Sequence, residues 1–251
     1  MENIGNWSVE QIAGHPCDIF EPKQRNSNGY TVLYLHGVHE GKLNDKSAFV
    51  ELFEQHGLPV ISPRTKRSWW SNQICAEFDT QLTAEQHVIQ NIVPYMEERW
   101  GSRPTQFGLL GTSMGGQGAL RFSYKFPNTF PVVAAISPAI DHQKRMEDPE
   151  ENEPLFDMYD DPEHCRQDTA LLHIHPLNWP RHQFFCCDPT DYPWADSADR
   201  LRMKLGSLGV PFQADLETSA GGHGFEYYCA MAEKAIGFIV SSLQSERLRV
   251  V

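Results

Sequence analysis

The sequence predicts an α/β fold, in which helices cover both faces of a mostly parallel central sheet. Two observations favour this class. Short apolar segments rich in β-branched and aromatic residues alternate with longer segments of helical periodicity. One strand-like segment also runs through a glycine-rich turn directly into a helix-like segment. We expect a single domain spanning residues 1–251, because no shift in composition and no internal repeat divides the chain.

The first predicted elements are a strand, a helix and a second strand. Residues 30–35 (YTVLYL) follow the turn signal Asn28-Gly29 and consist mostly of residues that favour strands. Residues 46–56 have an amphipathic helical pattern. Residues 58–62 (LPVIS) form a short apolar segment that is typical of a buried strand.

A second helix is expected to begin at Thr83, because Gln86 follows it with the spacing of a capping box. The helical pattern continues to about Trp100. Pro94 has no main-chain N–H to donate, so it is expected to start, kink or interrupt this helix.

The rest of the chain supplies further strands and helices and one long polar segment. Strands are predicted at residues 106–110, 132–137, 182–187 and 211–216, and helices at residues 114–126, 196–208 and 225–243. The polar segment, residues 141–181, lies between two of these strands and carries acidic runs such as MEDPEENEP. Its position predicts an insertion that forms a lid or rim over the functional site, the alternative being a solvated surface excursion.

The overall charge and composition argue against several classes of function. The net charge of −12, from 21 Lys and Arg against 33 Asp and Glu, repels nucleic acid and anionic membrane surfaces. No apolar run approaches the roughly 20 residues of a membrane span, and no secretion signal opens the sequence, so a cytoplasmic protein is expected. The six cysteines lack a CxxC spacing and are expected to be reduced and mostly buried. The oligomeric state stays open.

The strongest motif is G-x-S-x-G, formed by Gly111-Thr112-Ser113-Met114-Gly115 between a predicted strand and a predicted helix. A serine on such a sharp turn projects its hydroxyl above the sheet, and the two glycines let strand and helix approach closely. Ser113 is therefore the candidate nucleophile. The alternative is a glycine-rich turn of a nucleotide-binding fold, but the G-x-G-x-x-G spacing is absent.

The candidate general base is His223, one of 11 histidines. It lies in Gly-Gly-His-Gly, after the last predicted strand and before the last helix, where glycines allow the ring to reach back over the sheet. His173 and His175 form an H-x-H pair without further regularly spaced ligands, so packing or surface roles are expected for them. We predict no metal site and no cofactor.

Three aspartates are candidates for the acid that orients the histidine: Asp188, Asp191 and Asp196, all after the strand at residues 182–187. Position alone leaves them open. Asp191 lies on a turn a few residues past the strand, whereas Asp188 can cap that turn and Asp196 fits a helix N-cap. Asp191 is therefore favoured.

The segment His36-Gly37-Val38 follows the first clear strand, where a second half of the oxyanion hole is expected. The candidate donors are the main-chain N–H groups of Met114 and Val38, and Gly37 lets the chain come close.

Four residues are candidate substrate contacts: His36, Gly37, Trp70 and Trp194. The two tryptophans fall near the predicted site, and aromatic side chains beside a site often bind an acyl group or a sugar ring. Core packing is the alternative explanation for both.

The chain resembles the Putative esterase branch of the α/β-hydrolase superfamily, which includes esterase D-like and feruloyl-esterase-like enzymes. The segments YLHGVHEG, GLLGTSMGGQGALRFSYKFPNTFPVVAAISPAID and FFCCDPTDYPWADSADRLRMKLGSLGVPFQADLETSAGGHGFEYY carry this resemblance. It implies that Ser113 is the nucleophile and His223 the base. The acid of the family usually lies in a G-x-x-D turn, which corresponds to Asp191, with Asp188 in place of the glycine.

These observations together predict a serine hydrolase that cleaves a small carboxylic ester or a thioester through an acyl-enzyme. An acyltransferase that uses the same acyl-enzyme is the nearest alternative. A non-catalytic binding protein of the same fold and a metal hydrolase are more distant alternatives.

Overall fold

The computed structural model describes residues 5–147, 154–192 and 194–249. The strands are β1 (Asn6–Ile12), β2 (His15–Glu21), β3 (Thr31–Leu35), β4 (Val60–Pro63), β5 (Phe107–Thr112), β6 (Val132–Ile136), β7 (His182–Cys186) and β8 (Gln213–Asp215). Within the described residues they form one sheet of eight strands in the order β1-β2-β4-β3-β5-β6-β7-β8. Strands β3 to β8 run parallel, whereas β1 and β2 pair antiparallel at one edge. The mostly parallel sheet predicted from the sequence is confirmed.

The α-helices are α1 (Ser47–Gln55), α2 (Ala84–His87), α3 (Val93–Trp100), α4 (Met114–Lys125), α5 (Leu155–Met158), α6 (Pro162–Gln167), α7 (Ala170–His173), α8 (Trp194–Leu208) and α9 (Phe225–Arg247). A π-helical turn at Val88–Ile92 joins α2 to α3. The strands and helices predicted from residue 30 onwards are present, with small differences at their ends.

Side chains of the central strands alternate between two apolar cores. Val32 and Tyr34 pack on the face that α1 and α9 cover, whereas Leu33 and Leu35 pack on the face that α4 and α8 cover. All four are fully buried. Helices therefore cover both faces of the sheet, as the sequence predicts.

The helix that begins at Thr83 is interrupted before Pro94. Thr83 Oγ1 accepts the Gln86 amide at 3.1 Å and Gln86 Oε1 accepts the Thr83 amide at 3.1 Å, which confirms the capping box. The π-helical turn ends at Ile92, where Pro94 supplies no N–H for a regular α-helical bond. The predicted interruption is thereby confirmed.

The antiparallel pair β1 and β2 was not predicted. Pro16 and Asp18 in β2 are residue types that strands disfavour, and most of β1 is partly exposed, so neither segment has a clear apolar pattern. Tertiary contacts compensate for this weak intrinsic preference for strand structure. Arg64, which follows β4, donates from Nε to Asp18 Oδ2 at 2.8 Å.

The prediction of Asp196 as the N-cap of a helix is wrong. Helix α8 begins at Trp194, and the Ala195 amide donates to the Asp191 carbonyl at 2.8 Å, so Asp196 lies inside the first turn. A carboxylate in the first turn still interacts favourably with the helix dipole, and Asp196 also forms an ion pair with Arg200 at 3.3 Å. Pro193 lies outside the described residues.

The predicted insertion at residues 141–181 contains a 3₁₀ turn (His142–Glu147) and the short helices α5, α6 and α7. Residues 148–153 of this prediction lie outside the described residues. The far end of the segment is fixed to α4: Arg121 Nη2 lies 2.6 Å from Asp168 Oδ1, and the Ala170 amide donates to Gln117 Oε1 at 2.8 Å. A lid or rim function stays a prediction.

The six cysteines are free thiols; five are buried and Cys229 is partly exposed, as expected from the sequence. Among the described residues, no helix combines the length and the apolar character that a membrane crossing requires.

Candidate active site

Ser113 occupies a strained turn between the end of β5 and the start of α4. Its φ of 56° lies in the left-handed region that residues with a Cβ rarely adopt. Neighbouring main chain holds it there: the Ser113 amide donates to the Ile136 carbonyl, and the Ala139 amide donates to the Ser113 carbonyl, both at 3.0 Å. Main-chain contacts with β6 and with the residues that follow it thus hold Ser113 in this conformation.

The two glycines of G-x-S-x-G are required by close main-chain contacts. A Cβ atom on Gly111 would lie 2.0 Å from the carbonyl oxygen of Gly115, and one on Gly115 would lie 1.9 Å from the carbonyl oxygen of Leu35. Such contacts are impossible for any larger residue without a backbone shift. The close approach of strand and helix expected from the motif is therefore present.

His223 and Asp191 reach Ser113 from two other loops. His223 lies between β8 and α9, after Gly221 and Gly222 with φ of 84° and 74°. Its Nε2 lies 2.8 Å from Ser113 Oγ, and its Nδ1 lies 2.7 Å from Asp191 Oδ2. With the ring proton on Nδ1, His223 donates to Asp191 and accepts from Ser113.

The Asp188 carboxylate has different partners. It accepts hydrogen bonds from the Thr190 hydroxyl (2.7 Å) and amide (2.8 Å), Ser219 Oγ (3.0 Å), the Ala220 amide (2.6 Å) and the Gly222 amide (3.0 Å). Burial raises the pKa of Asp188, but these hydrogen bonds outweigh burial and hold the pKa well below its usual value. Asp188 therefore fixes the loop that carries His223, while Asp191 contacts the ring.

The main chain after β3 comes close to the nucleophile. A Cβ atom on Gly37 would lie 3.2 Å from Ser113 Cβ, so this segment runs beside the serine. Within the described part of the chain, the amides of Val38 and Met114 have no hydrogen-bond partner. Both amides thus remain available for a ligand beside Ser113.

His36 and Trp70 lie behind the pocket wall. His36 is 2% exposed; its Nδ1–H donates to the Gly37 carbonyl (2.8 Å) and its Nε2 accepts the Thr65 amide (3.0 Å). Burial lowers the pKa of His36. Trp70 is fully buried and donates from Nε1 to the His36 carbonyl at 3.1 Å. These two residues shape the loop, whereas Gly37 and Trp194 of the predicted contacts line the pocket.

The pocket at Ser113 has a volume of about 250 Å³ and largely aromatic walls. The aromatic side chains are Trp69, Trp194, Phe225 and Tyr228. The Trp69 ring stacks on His142 with ring centroids 4.6 Å apart. The sequence analysis indicated Trp70 rather than Trp69. It could not distinguish the two, because the direction of each side chain depends on the consecutive positive φ values of 51° and 54° in this turn.

Tyr228 and Arg145 are pocket residues that the sequence analysis missed. Tyr228 lines the pocket together with Ser113, and its ring meets the His223 ring edge-on with the ring centroids 5.7 Å apart. The Arg145 guanidinium lies 5.7 Å from the centroid of Trp194. Tyr228 lies in the first turn of α9, five residues after His223, and its closeness in sequence to the histidine was the available signal.

The H-x-H pair makes separate local contacts. His173 Nε2 lies 3.0 Å from Asp168 Oδ1, and His175 Nδ1 accepts the Leu177 amide at 3.1 Å. No group of three or more His, Cys, Asp or Glu side chains converges as metal ligands in the residues that the structure describes.

Comparison with known proteins gives a family match and several similar folds. The family model described as Putative esterase matches residues 16–198. Among the curated proteins, none matches this chain.

Solved structures resemble the chain over nearly its full length. A ferulic acid esterase is 15% identical with a TM-score of 0.74, covering 95% of this chain and 97% of its own. An S-formylglutathione hydrolase from Agrobacterium tumefaciens is 14% identical with a TM-score of 0.74, covering 97% of both chains. The capsule O-acetyltransferase of Neisseria meningitidis serogroup A is 15% identical with a TM-score of 0.61, covering 92% of this chain and 96% of its own. The shared feature is the α/β-hydrolase fold.

Proposed function

Because this chain belongs to the Putative esterase family, we propose that it hydrolyses carboxylic esters through an acyl-enzyme on Ser113. One observation carries the proposal. An unbroken series of hydrogen bonds joins Ser113 Oγ to His223 Nε2 (2.8 Å) and His223 Nδ1 to Asp191 Oδ2 (2.7 Å), at the wall of an open pocket. This order of groups is the one that nucleophilic catalysis by serine requires.

In the first half of the reaction, His223 Nε2 takes the Ser113 proton as Oγ attacks the ester carbonyl carbon. The tetrahedral intermediate then collapses, the bond to the alcohol oxygen breaks, and His223 returns the proton to the departing alcohol. In the second half, His223 takes a proton from water, and the resulting hydroxide attacks the acyl carbon. Ser113 leaves with the proton from His223, and the carboxylic acid is released.

The negative oxygen of each tetrahedral intermediate is stabilised by the amides of Met114 and Val38 in this proposal. Their free N–H groups and the closeness of Gly37 to Ser113 support the assignment. Fixed main-chain donors stabilise developing charge without reorganising during the reaction. The α4 N-terminus at Met114 adds a favourable dipole.

Asp191 orients His223 and stabilises the imidazolium without taking its proton. Its side chain is 1% exposed, so the interaction with the ring is poorly screened by water. The Asp188 carboxylate is committed to five other donor groups, which supports Asp191 as the acid.

The test combines covalent labelling with kinetics. We expect a fluorophosphonate to label wild type on Ser113 and to leave Ser113→Ala unlabelled. Hydrolysis of p-nitrophenyl acetate should fall by roughly a millionfold, or to background, in Ser113→Ala. Equal hydrolysis by both proteins, each shown to be folded by circular dichroism, would contradict the proposal.

Thioester hydrolysis and acyl transfer are extensions of the same acyl-enzyme. The fold shared with an S-formylglutathione hydrolase supports the first and that shared with a capsule O-acetyltransferase supports the second. Adding alcohol or sugar acceptors to a p-nitrophenyl acetate assay separates acyl transfer from hydrolysis. Acetylated acceptor would assign transfer, whereas acetate as the sole product would assign hydrolysis.

A further inference from the structure

A cleft of about 450 Å³ lies at the edge of the sheet opposite to Ser113. Three residues that line it, Tyr30, Gln106 and Arg181, immediately precede β3, β5 and β7. Ser113, in contrast, follows the carboxyl end of β5. Because these strands run parallel, their amino ends meet at one edge of the sheet and their carboxyl ends at the other. The cleft is therefore separate from the candidate active site.

The cleft gathers arginines that have no carboxylate partner. Most arginines of the chain lie within ion-pair distance of a carboxylate: Arg25, Arg64, Arg67, Arg99, Arg121, Arg166, Arg181, Arg200 and Arg202. Among the described residues, Arg103, Arg247 and Arg249 lack such a partner, and all three line this cleft. In a chain of net charge −12, three guanidinium groups around one cavity form a localised positive field.

The acidic residue in the described lining is Glu246, and it is already engaged. Its carboxylate accepts from Arg181 Nε at 2.8 Å and lies 3.0 Å from His182 Nε2. Burial raises the pKa of Glu246, but the contacts with Arg181 and His182 outweigh burial and lower the pKa below its ordinary value, so the carboxylate stays ionised. Glu246 therefore neutralises Arg181, and within the described lining no carboxylate compensates the charge of the three other arginines.

A buried hydroxyl beside the cleft has unused hydrogen-bonding capacity. Tyr30 is 3% exposed, and its hydroxyl has no hydrogen-bond partner in the described part of the chain. A buried polar group of this kind costs stability unless a ligand or water satisfies it. Thr105 supplies a second hydroxyl in the lining.

From these features we propose that the cleft binds a small molecule that carries phosphoryl groups. The planar guanidinium group donates two parallel hydrogen bonds that match the oxygens of a phosphoryl group. Arg247 and Arg249 at the end of α9 also complement the helix dipole, but the dipole does not account for Arg103, which comes from the loop after α3. The cleft volume exceeds that of inorganic phosphate and suits an organic phosphate.

Isothermal titration calorimetry of the full chain tests the proposal, with inorganic pyrophosphate and adenosine diphosphate as probes. The test variant carries Arg103→Gln, Arg247→Gln and Arg249→Gln. A matched control carries Arg25→Gln, Arg166→Gln and Arg202→Gln, which change the net charge by the same amount at arginines outside the described lining. Thermal unfolding checks that each protein is folded, and Arg103→Gln alone serves as the test variant if the triple variant is not.

We expect both wild type and control to bind at least one probe, and the test variant to bind it at least tenfold more weakly, roughly the effect of one charge-assisted hydrogen bond. Equal affinity for the two probes would assign recognition to the phosphoryl groups alone, and tighter binding of adenosine diphosphate would assign an organic phosphate. No binding of either probe to wild type, or equal weakening in test and control variants, would overturn the proposal. Hydrolysis of p-nitrophenyl acetate is expected to be unchanged in both variants, because the cleft lies away from Ser113.

Discussion

The carboxylate of Asp188 accepts a hydrogen bond from the Gly222 amide at 3.0 Å, one residue before His223. Asp191, three residues after Asp188, instead contacts the His223 ring at 2.7 Å. Two aspartates of one turn thus hold the same histidine, one through its main chain and the other through its side chain. Their roles can be separated because substitution of each should affect a different measurable property.

Replacement of Asp191 with Asn is expected to reduce kcat for p-nitrophenyl acetate by about 10³- to 10⁴-fold, because an amide cannot hold the productive tautomer of His223 or stabilise its cation. Steady-state kinetics measure the loss, and thermal unfolding checks the fold.

The comparison variant is Asp188→Asn, which places an amide NH₂ group among donors from Ala220 and Gly222. It should lower the melting temperature more than Asp191→Asn and reduce kcat less. The reverse ranking of the two variants in kcat would assign the acid to Asp188.

The sequence could predict that one of these aspartates contacts the histidine, but spacing alone could not decide between them. Both follow the same strand, and the decision depends on donors from residues 219–222, which lie far away in the chain. Ser113 and His223 were easier to predict as a pair, because local glycine motifs mark both turns. A local motif is readable from sequence, whereas a carboxylate's partners are set by tertiary structure.

The same distinction between local and tertiary information explains which other parts of the fold and of the pocket could be predicted from the sequence. The parallel strands were predicted because burial on both faces leaves continuous apolar segments. The edge strands β1 and β2 lack such segments and depend on pairing with β4. Trp69 rather than Trp70 lines the pocket because two consecutive left-handed residues set the direction of each side chain, which composition does not encode.

Stability at acid pH should depend on Asp188. Its pKa in the folded protein lies below the value of about 3.9 in an unfolded chain, so its contribution to stability is fully present above that pH and is lost as the pH falls further. We expect the difference in melting temperature between wild type and Asp188→Asn to be constant near neutral pH and to shrink below about pH 4. Melting curves across this range measure it, and a difference that grows on acidification would contradict the assignment.

Replacement of Gly115 with Ala is expected to abolish hydrolysis and to lower the melting temperature steeply. The new Cβ would lie 1.9 Å from the Leu35 carbonyl oxygen, a main-chain atom that cannot rotate away. Gly206→Ala in the exposed part of α8 is the matched control, since its Cβ would contact nothing within 4 Å. That change should stabilise the protein by up to about 1 kcal/mol through helix propensity. Equal effects of the two substitutions would show that the turn at Ser113 tolerates a side chain at position 115.

The buried Arg121 should contribute strongly to folding. Its guanidinium is 1% exposed and lies between Glu85 and Asp168, 2.6 Å from the latter. Arg121→Met would leave the buried Glu85 carboxylate and the partly buried Asp168 carboxylate with fewer partners and is expected to lower the free energy of unfolding by about 3–5 kcal/mol. Arg166→Met, which breaks the exposed pair with Glu163, should change the free energy of unfolding little. Urea denaturation of both variants tests this, and similar midpoints would contradict it.

The hydroxyl of Tyr228 should assist the reaction at Ser113. Burial raises its pKa well above the usual value, so the hydroxyl stays protonated and can donate to the serine oxygen or to the departing alcohol. Tyr228→Phe keeps the ring against His223 and removes the donor, so kcat should fall about tenfold while KM stays unchanged. Tyr34→Phe is the control: its hydroxyl lies 2.8 Å from Thr112 Oγ1, and its loss should lower the melting temperature and leave kcat near wild type. A wild-type kcat in Tyr228→Phe would restrict Tyr228 to shaping the pocket wall.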